Sequence, residues 1–303
     1  MQLNSKQLTR LGTCLFLLIG SFKSQGQTYF SGSMWSDNLS FFNPSNTAQE
    51  HKFKTTVYAF PLDYTNKTRK MGALSLEARL GKTSSWSAGA VVFHNTSMVL
   101  NPYRYYSRST QVKLNLAKHL KLARGGQLSL GASIGRISHS QNTTDWVTID
   151  PAWLDPAIPQ EFSSDAGLDV GLGISYQSEK MRIGFSSSHL NSFTYNIDNL
   201  ESTYQTVERL FAEYKIKASE KIDVIPSVLF TNNYLIDGNF GLRGMYKEKL
   251  WIGMNYGYKE SVSFQGGLNI SKFSLGYSII NRVSSQTQQD ILNHEFSLSF
   301  MIK

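Results

Sequence analysis

Cysteine occurs once in the 303 residues and proline seven times. These counts exclude a disulfide-stapled scaffold, a collagen-like fibre and a proline-rich disordered chain. Beyond the N-terminus no apolar run approaches the ~20 residues of a membrane-spanning helix, and apolar residues spaced by three and four are nearly absent. Charge of one sign is also scarce. Lys and Arg total 30 against 22 acids. Lys6, Arg10 and Lys23 lie in a leader argued below to be removed, leaving 27 basic against 22 acidic residues, or +5. So small and scattered an excess does not announce a nucleic-acid binder, and no nucleic-acid partner is expected.

Residues 1–26 read as a secretory signal peptide. Lys6 and Arg10 form its positive region, and Leu11 to Ile19 form an apolar core too short to span a bilayer. Ser24 and Gly26 supply the small residues that signal peptidase requires, which places cleavage before Gln27. Cys14 precedes most of the apolar core, an order unlike that of a lipoprotein, and the mature chain is left without cysteine. Disulfides and thiolate metal sites are thereby excluded from it.

What is abundant is a period of two. Leu74, Leu76, Ala78 and Leu80 alternate with Ser75, Glu77 and Arg79; Leu168, Val170, Leu172, Ile174 and Tyr176 alternate with Asp169, Gly171, Gly173 and Ser175. The same pattern recurs around Leu114, Leu130, Leu210, Phe264, Leu275 and Leu298. Each run describes a strand with one apolar and one polar or small face. Together they predict an all-β fold, a transmembrane outer-membrane β-barrel of about 14 antiparallel strands of roughly nine to eleven residues. Long polar stretches at 61–71, 95–109, 138–165, 189–206, 232–237 and 283–290 interleave with tight turns near Lys82, Lys121, Glu179, Ser219, Glu248 and Ser271. That is the alternation of outer loops and periplasmic turns, broken at Lys259-Glu260. Trp86, Phe93, Tyr176, Trp251, Tyr256 and Tyr258 are placed near strand ends as interfacial girdles. The competing fold is a soluble β-sandwich, which so many similar strands exceed.

With the apolar parity facing lipid, the ionisable residues of the interior are Glu77, Arg79, Lys113, Asp169, Arg182, Arg209, Glu213, Asp223, Arg243 and Glu295. Five are acidic and five basic, a balance that suits pairing across a filled lumen better than a charge-selective constriction. Residues 27–52 precede the first strand, show no period of two, and carry Phe30, Ser31, Met34, Trp35, Phe41 and Phe42 before an Asn43-Pro44 turn. Such an aromatic segment is expected to enter the barrel or cover its periplasmic mouth as a plug or lid, with the barrel itself at 53–303.

Chemistry is sparse. The six histidines never pair at metal-binding spacings, and Asp145, Asp150 and Asp155 lack the alternating ligands of a calcium loop. Ser188-His189 with Asn191 is the one local grouping that evokes a hydrolase, and serine is too common here to carry the idea. No catalytic, cofactor or metal site is therefore assigned, and no enzyme activity is expected.

The opening Tyr29-Phe30-Ser31-Gly32-Ser33-Met34, with Asn43-Pro44-Ser45-Asn46-Thr47-Ala48 after it, resembles the start of the PorP/SprF family. The last strand resembles that family too, through His294-Glu295, while Gly32, Ser33, Ser45 and the Met301-Ile302-Lys303 extension depart from it. The resemblance implies an outer-membrane barrel of the type IX secretion system. It implies binding and export or surface anchoring of an adhesin-like cargo through the cargo's C-terminal domain, or a link to the periplasmic secretion machinery. Partners would then be cargo, secretion components and outer-membrane lipid. Long outer loops bearing Tyr103, Tyr105, Tyr106, Trp146 and Trp153 suit cargo contact. The alternative is a channel for a small or hydrophobic solute, with residues 27–50 as its movable plug.

Overall fold

The computed structural model describes residues 32–60, 69–81, 84–99, 105–123, 125–142, 163–197, 200–233, 235–257, 261–283 and 290–302. Two short 3-10 helices, Trp35–Phe41 and Pro44–Asn46, precede the strands. Strands β1 (Phe53–Phe60), β2 (Arg69–Arg79), β3 (Trp86–Val99) and β4 (Tyr105–Lys121) pair in sequence order, and β5 (Gln127–Asn142), β6 (Ser163–Gln177) and β7 (Met181–Ser188) continue the series. A hairpin of β8 (Phe193–Ile197) and β9 (Leu200–Tyr204) stands outside the sheet. The sheet resumes with β10 (Val207–Tyr214) and its short continuation β11 (Ile216–Lys217), then β12 (Ile222–Asn233) and β13 (Leu235–Tyr246). It ends with β14 (Leu250–Gly257), β15 (Ser261–Ile270), β16 (Phe273–Val283) and β17 (Asp290–Ile302). Closure comes from β1 on β17, in a register running from Phe53↔Ile302 to Ala59↔Phe296, and β10 bridges β7 and β12. With β10 and β11 as one strand, the result is a closed antiparallel barrel of 14 strands.

The alternation read in the sequence becomes the two faces of this wall. On β4, Val112, Leu114 and Leu116 are exposed while Lys113, Asn115 and Ala117 are buried. An exposed leucine row around the whole outside makes sense only against lipid. The height of the row is set by outward charges. Arg108 and Lys118 face out on β4 with only Thr110 and those apolar residues between them. Their ten-residue separation, at about 3.4 Å per residue and a tilt of about 40°, spans about 25 Å, the thickness of an outer-membrane apolar band. The short turns, the start of β1 near Lys52 and the end of β17 at Ile302 lie at one rim, which is therefore the periplasmic one.

Three expectations are corrected. Stretches 95–109 and 232–237 are largely strand, since Asn95 pairs with Ser109, Ser97 with Ser107 and Asn233 with Leu235. Above the bilayer both faces of a strand are wet, so the apolar alternation ends while the backbone ladder continues. Several strands consequently exceed the expected nine to eleven residues, β4 reaching 17, while β1, β7 and β14 have 8. The aromatic girdle also loses two members, because Phe93 and Trp251 share parity with the buried Val91 and with Gly253 and point inward. Trp86 and Tyr256 do face out. Tyr258, Lys259-Glu260 and the loop tips 61–68, 143–162 and 284–289 lie outside the described residues, while stretch 189–206 contains the β8–β9 hairpin.

Leu114 is 60% exposed and sits midway between the two outward charges of β4. Leu114→Arg is expected to destabilise the protein by about 2–4 kcal/mol in reversible unfolding from vesicles. An unchanged midpoint would place Leu114 away from the bilayer midplane.

Candidate functional site

The interior is occupied by the chain's own N-terminal segment. From Gly32 to Glu50 there is no Lys, Arg or His, and Met34, Trp35, Leu39, Phe41 and Phe42 are all buried. Asn43 turns this segment. Its Oδ1 accepts from Ser45 N at 3.0 Å and from Ser45 Oγ at 2.7 Å, capping the Pro44–Asn46 helix, and Pro44 at the first helical position needs no N–H there. The Asn43 amide donates to Phe185 O at 3.3 Å and Ile174 O at 3.4 Å, fixing the turn to β6 and β7.

Glycines in the wall make room for this turn. A Cβ at Gly131 would fall on Ser45 N and Pro44 C, and one at Gly173 on Asn43 Oδ1. Both face inward on neighbouring strands, paired directly as Gly131↔Gly173. The wall is thus bare where the backbone of the segment approaches it.

The inward ionisable residues are arranged around the segment. Glu77 accepts from Ser40 Oγ at 2.6 Å and Ala48 N at 2.7 Å. Arg79 donates to Gln49 O at 2.6 Å and Ala48 O at 3.2 Å, and Lys113 donates to Phe41 O at 2.9 Å. Arg243 makes a two-pronged pair with Asp37, at 2.7 and 3.0 Å, and stacks over Trp251 at 4.1 Å. Fully buried Glu295 receives Ser33 N at 2.9 Å and Ser33 Oγ at 2.5 Å, and Ser33 O accepts from Asn255 and Gln265. Arg209 lies over the Phe42 ring at 5.5 Å. A buried charge is tolerated only when it is paired and hydrogen-bonded, and here much of the pairing is to main chain of the segment.

The remainder pair elsewhere. Arg182 bridges Glu213 and Glu50, the latter at 3.6 Å. Asp169 takes Gln111 Nε2 at 2.5 Å and His189 Nδ1 at 2.9 Å, and Asp223 pairs with Lys215 at 3.1 Å. Arg182 and Glu213 are direct register partners on β7 and β10, a pair within the wall and not across the lumen. Burial pushes the Glu50 carboxyl up, but Arg182, His51 and Gln177 outweigh it and hold it below the usual carboxylate range. Asn191 bonds the backbone of β6 instead of orienting His189, so the hydrolase grouping is not assembled as its sequence spacing suggested.

Toward the outer mouth the β8–β9 hairpin supplies Tyr204, which is buried, stacks beside Phe193 and His189, and meets Ser109 Oγ at 3.1 Å. Between it and Phe41 and Phe42 remains a cavity of about 30 Å³, large enough to hold water. Sequence reasoning missed Ser33, Asp37 and Glu50 as partners of the wall. Their signal was available, since Asp37 and Glu50 are the only charges between residues 32 and 50. Phe30 and Ser31 lie outside the described residues, as do Tyr103, Trp146 and Trp153 and the side chains of Tyr105 and Tyr106.

A family model described as type IX secretion system membrane protein PorP/SprF matches residues 24–300. Among solved structures, the CymD monoaromatic hydrocarbon channel is similar with a TM-score of 0.55 and 13% identity, over 92% of this chain and 95% of its own. The toluene transporter TodX of P. putida gives 0.55 and 11%, over 91% and 96%. A FadL homologue of Pseudomonas aeruginosa gives 0.53 and 10%, over 86% and 93%. Identities this low carry the fold alone. No curated protein matches the sequence.

Two substitutions test how the segment is held. Glu295→Ala removes charge-assisted bonds to Ser33, and the Ser33 amide is expected to exchange with deuterium about tenfold faster or more. Gly131→Leu fills the space of Ser45 and is expected to open the amides of residues 43–47 as well. Exchange unchanged in both proteins would show that the segment is held by other contacts.

Proposed function

The chain belongs to the PorP/SprF family of type IX secretion system membrane proteins, and on that premise we propose that it is a sealed binding barrel. It recognises the C-terminal domain of a secreted, adhesin-like cargo protein and supports its export or surface anchoring, in contact with the secretion machinery. Residues 27–52 serve as its resident plug. The observation that supports this reading most is the filled interior, in which main-chain and side-chain groups from Ser33 to Glu50 satisfy buried charges on strands spread around the barrel. A passage for solute would leave such groups to water.

With the lumen occupied, recognition falls to the surfaces at the two rims. The outer side offers Tyr103, Trp146 and Trp153 in its loop sequences and Tyr105 and Tyr106 at the start of β4, amphipathic residues that give large contact area at small entropic cost. The channels similar in fold carry hydrocarbons according to their names, and a solute route through this chain would require the plug to leave.

Single-channel recording in planar bilayers separates the two. The intact protein is expected to be silent, and deletion of residues 27–50 is expected to give steady conductance. Steady openings in the intact protein would return the solute channel to first place. In parallel, tagged protein from gently solubilised outer membranes is expected to co-purify a large surface protein or type IX components in near-stoichiometric amount. A barrel that comes out alone would count against the cargo role.

A further inference from the structure

The lipid-facing side carries a concavity that the secretion reading does not use. A groove of about 660 Å³ crosses the outside of β14, β15, β16, β17 and β1. One bank is the row Leu250, Leu268, Leu275, Leu298 and Val57, each paired to the next across the sheet. The other is the adjacent row Ile252, Gly266, Tyr277, Phe296 and Ala59. Gly266 is the gap in that row. A Cβ there would meet nothing closer than Trp251 O at 3.6 Å, so the space above it opens outward. A barrel surface is convex, and a groove across five strands is a local inversion of it.

The periplasmic rim beside this groove is basic. Lys249 directly precedes Leu250, Lys272 occupies the turn between Ile270 and Phe273, and Lys52 precedes Phe53; all three are exposed. The nearby Glu248 is engaged by Lys215 at 3.4 Å. Each of these lysines sits one residue beyond the last outward apolar side chain of its strand, which is the depth of lipid headgroups. Lys118 is also turned outward near this rim, two residues inside the exposed Leu120, with its ammonium 4.8 Å from the exposed Trp86 ring.

We propose that this groove and the adjoining Lys249 and Lys272 form a site for an anionic phospholipid of the periplasmic leaflet, with its phosphate on the lysines and an acyl chain laid across Gly266. The groove opens on the membrane side, where acyl chains are the surrounding solvent, and the cations lie at phosphate height at its edge. An acidic periplasmic protein would complement the lysines but leave the apolar groove unexplained, so lipid accounts for both observations.

The test uses the full-length protein in phosphatidylcholine vesicles containing a minor share of phosphatidylglycerol. The protein-restricted fraction of spin-labelled phosphatidylglycerol is compared with that of spin-labelled phosphatidylcholine. Phosphatidylglycerol is expected to be preferred, with the preference falling as salt rises. Combined Lys249→Gln and Lys272→Gln should lower its association at the site by about fivefold per lysine. Gly266→Leu fills the groove from the lipid side and should reduce the restricted fraction for both headgroups. Absence of preference in the unaltered protein overturns the proposal, as does a preference that survives the double substitution or a restricted fraction untouched by Gly266→Leu. Lysine-dependent capture of an acidic periplasmic protein without lipid preference also overturns it. Should the double variant fail to fold, salt dependence in the unaltered protein decides the headgroup part and Gly266→Leu the groove.

Discussion

Backbone hydrogen bonding in hydrocarbon is the constraint from which the rest follows. No water is available there to an open sheet edge, so the pairing of Phe53 through Ala59 with Ile302 through Phe296 is what allows the wall to exist in a bilayer. Closure then fixes parity. Once Val57 faces lipid, Tyr58 and Thr56 must face in, and a slip of one residue would turn every leucine of the outer row toward the lumen. The same ladder brings Glu295, near one end of the chain, within reach of Ser33 near the other.

Fourteen strands enclose more space than their own side chains fill, since about eight is the number at which a barrel core packs itself. The remaining volume must hold water or chain, and here it holds chain. The way it is held is chiefly polar. Aromatic contacts such as Trp35 on Phe211 and Phe41 on Tyr58 supply apolar burial. Position, however, is set by Glu77, Arg79, Lys113, Arg243 and Glu295, which bond the segment at points from Ser33 to Gln49. Losing the segment would leave these groups in need of new partners, and stripping one member from a buried charged pair commonly costs about 3–5 kcal/mol. The segment and the wall are therefore stabilised together.

Much of this was legible in the sequence because a strand in a membrane wall has a period of two with opposite solvents on its faces. Leu114 against Lys113, and Leu298 against Glu295 and Ser297, declare their sides without any knowledge of the fold. Legibility failed where that contrast fades. Above the bilayer Ser97 and Ser107 pair as strand although their neighbourhood reads as loop, because both faces are wet. Phe93 and Trp251 were misplaced because an aromatic inside a filled lumen looks like an aromatic at a membrane interface unless parity is followed to the residue. The contacts of Ser33 and Asp37 were beyond periodicity, since they depend on which strands face each other across the barrel.

An interior given over to the chain's own segment leaves three surfaces on which a partner can act: the outer loops, the periplasmic turns and the lipid-facing wall. Each has its own chemistry here. The outer rim is polar and aromatic in sequence, the turn rim carries Lys52, Lys121, Lys180, Lys221, Lys249 and Lys272, and the wall is rich in leucine with a concavity at Gly266. The segment reaches Phe41 and Phe42 beneath Tyr204 of the β8–β9 hairpin, with a cavity of about 30 Å³ between them. Under the proposed secretion role, a signal between the two rims would travel through the wall or through the segment. Of the two, the segment is the one held by individual hydrogen bonds and not by a continuous ladder, which makes it the element with lower cost of rearrangement.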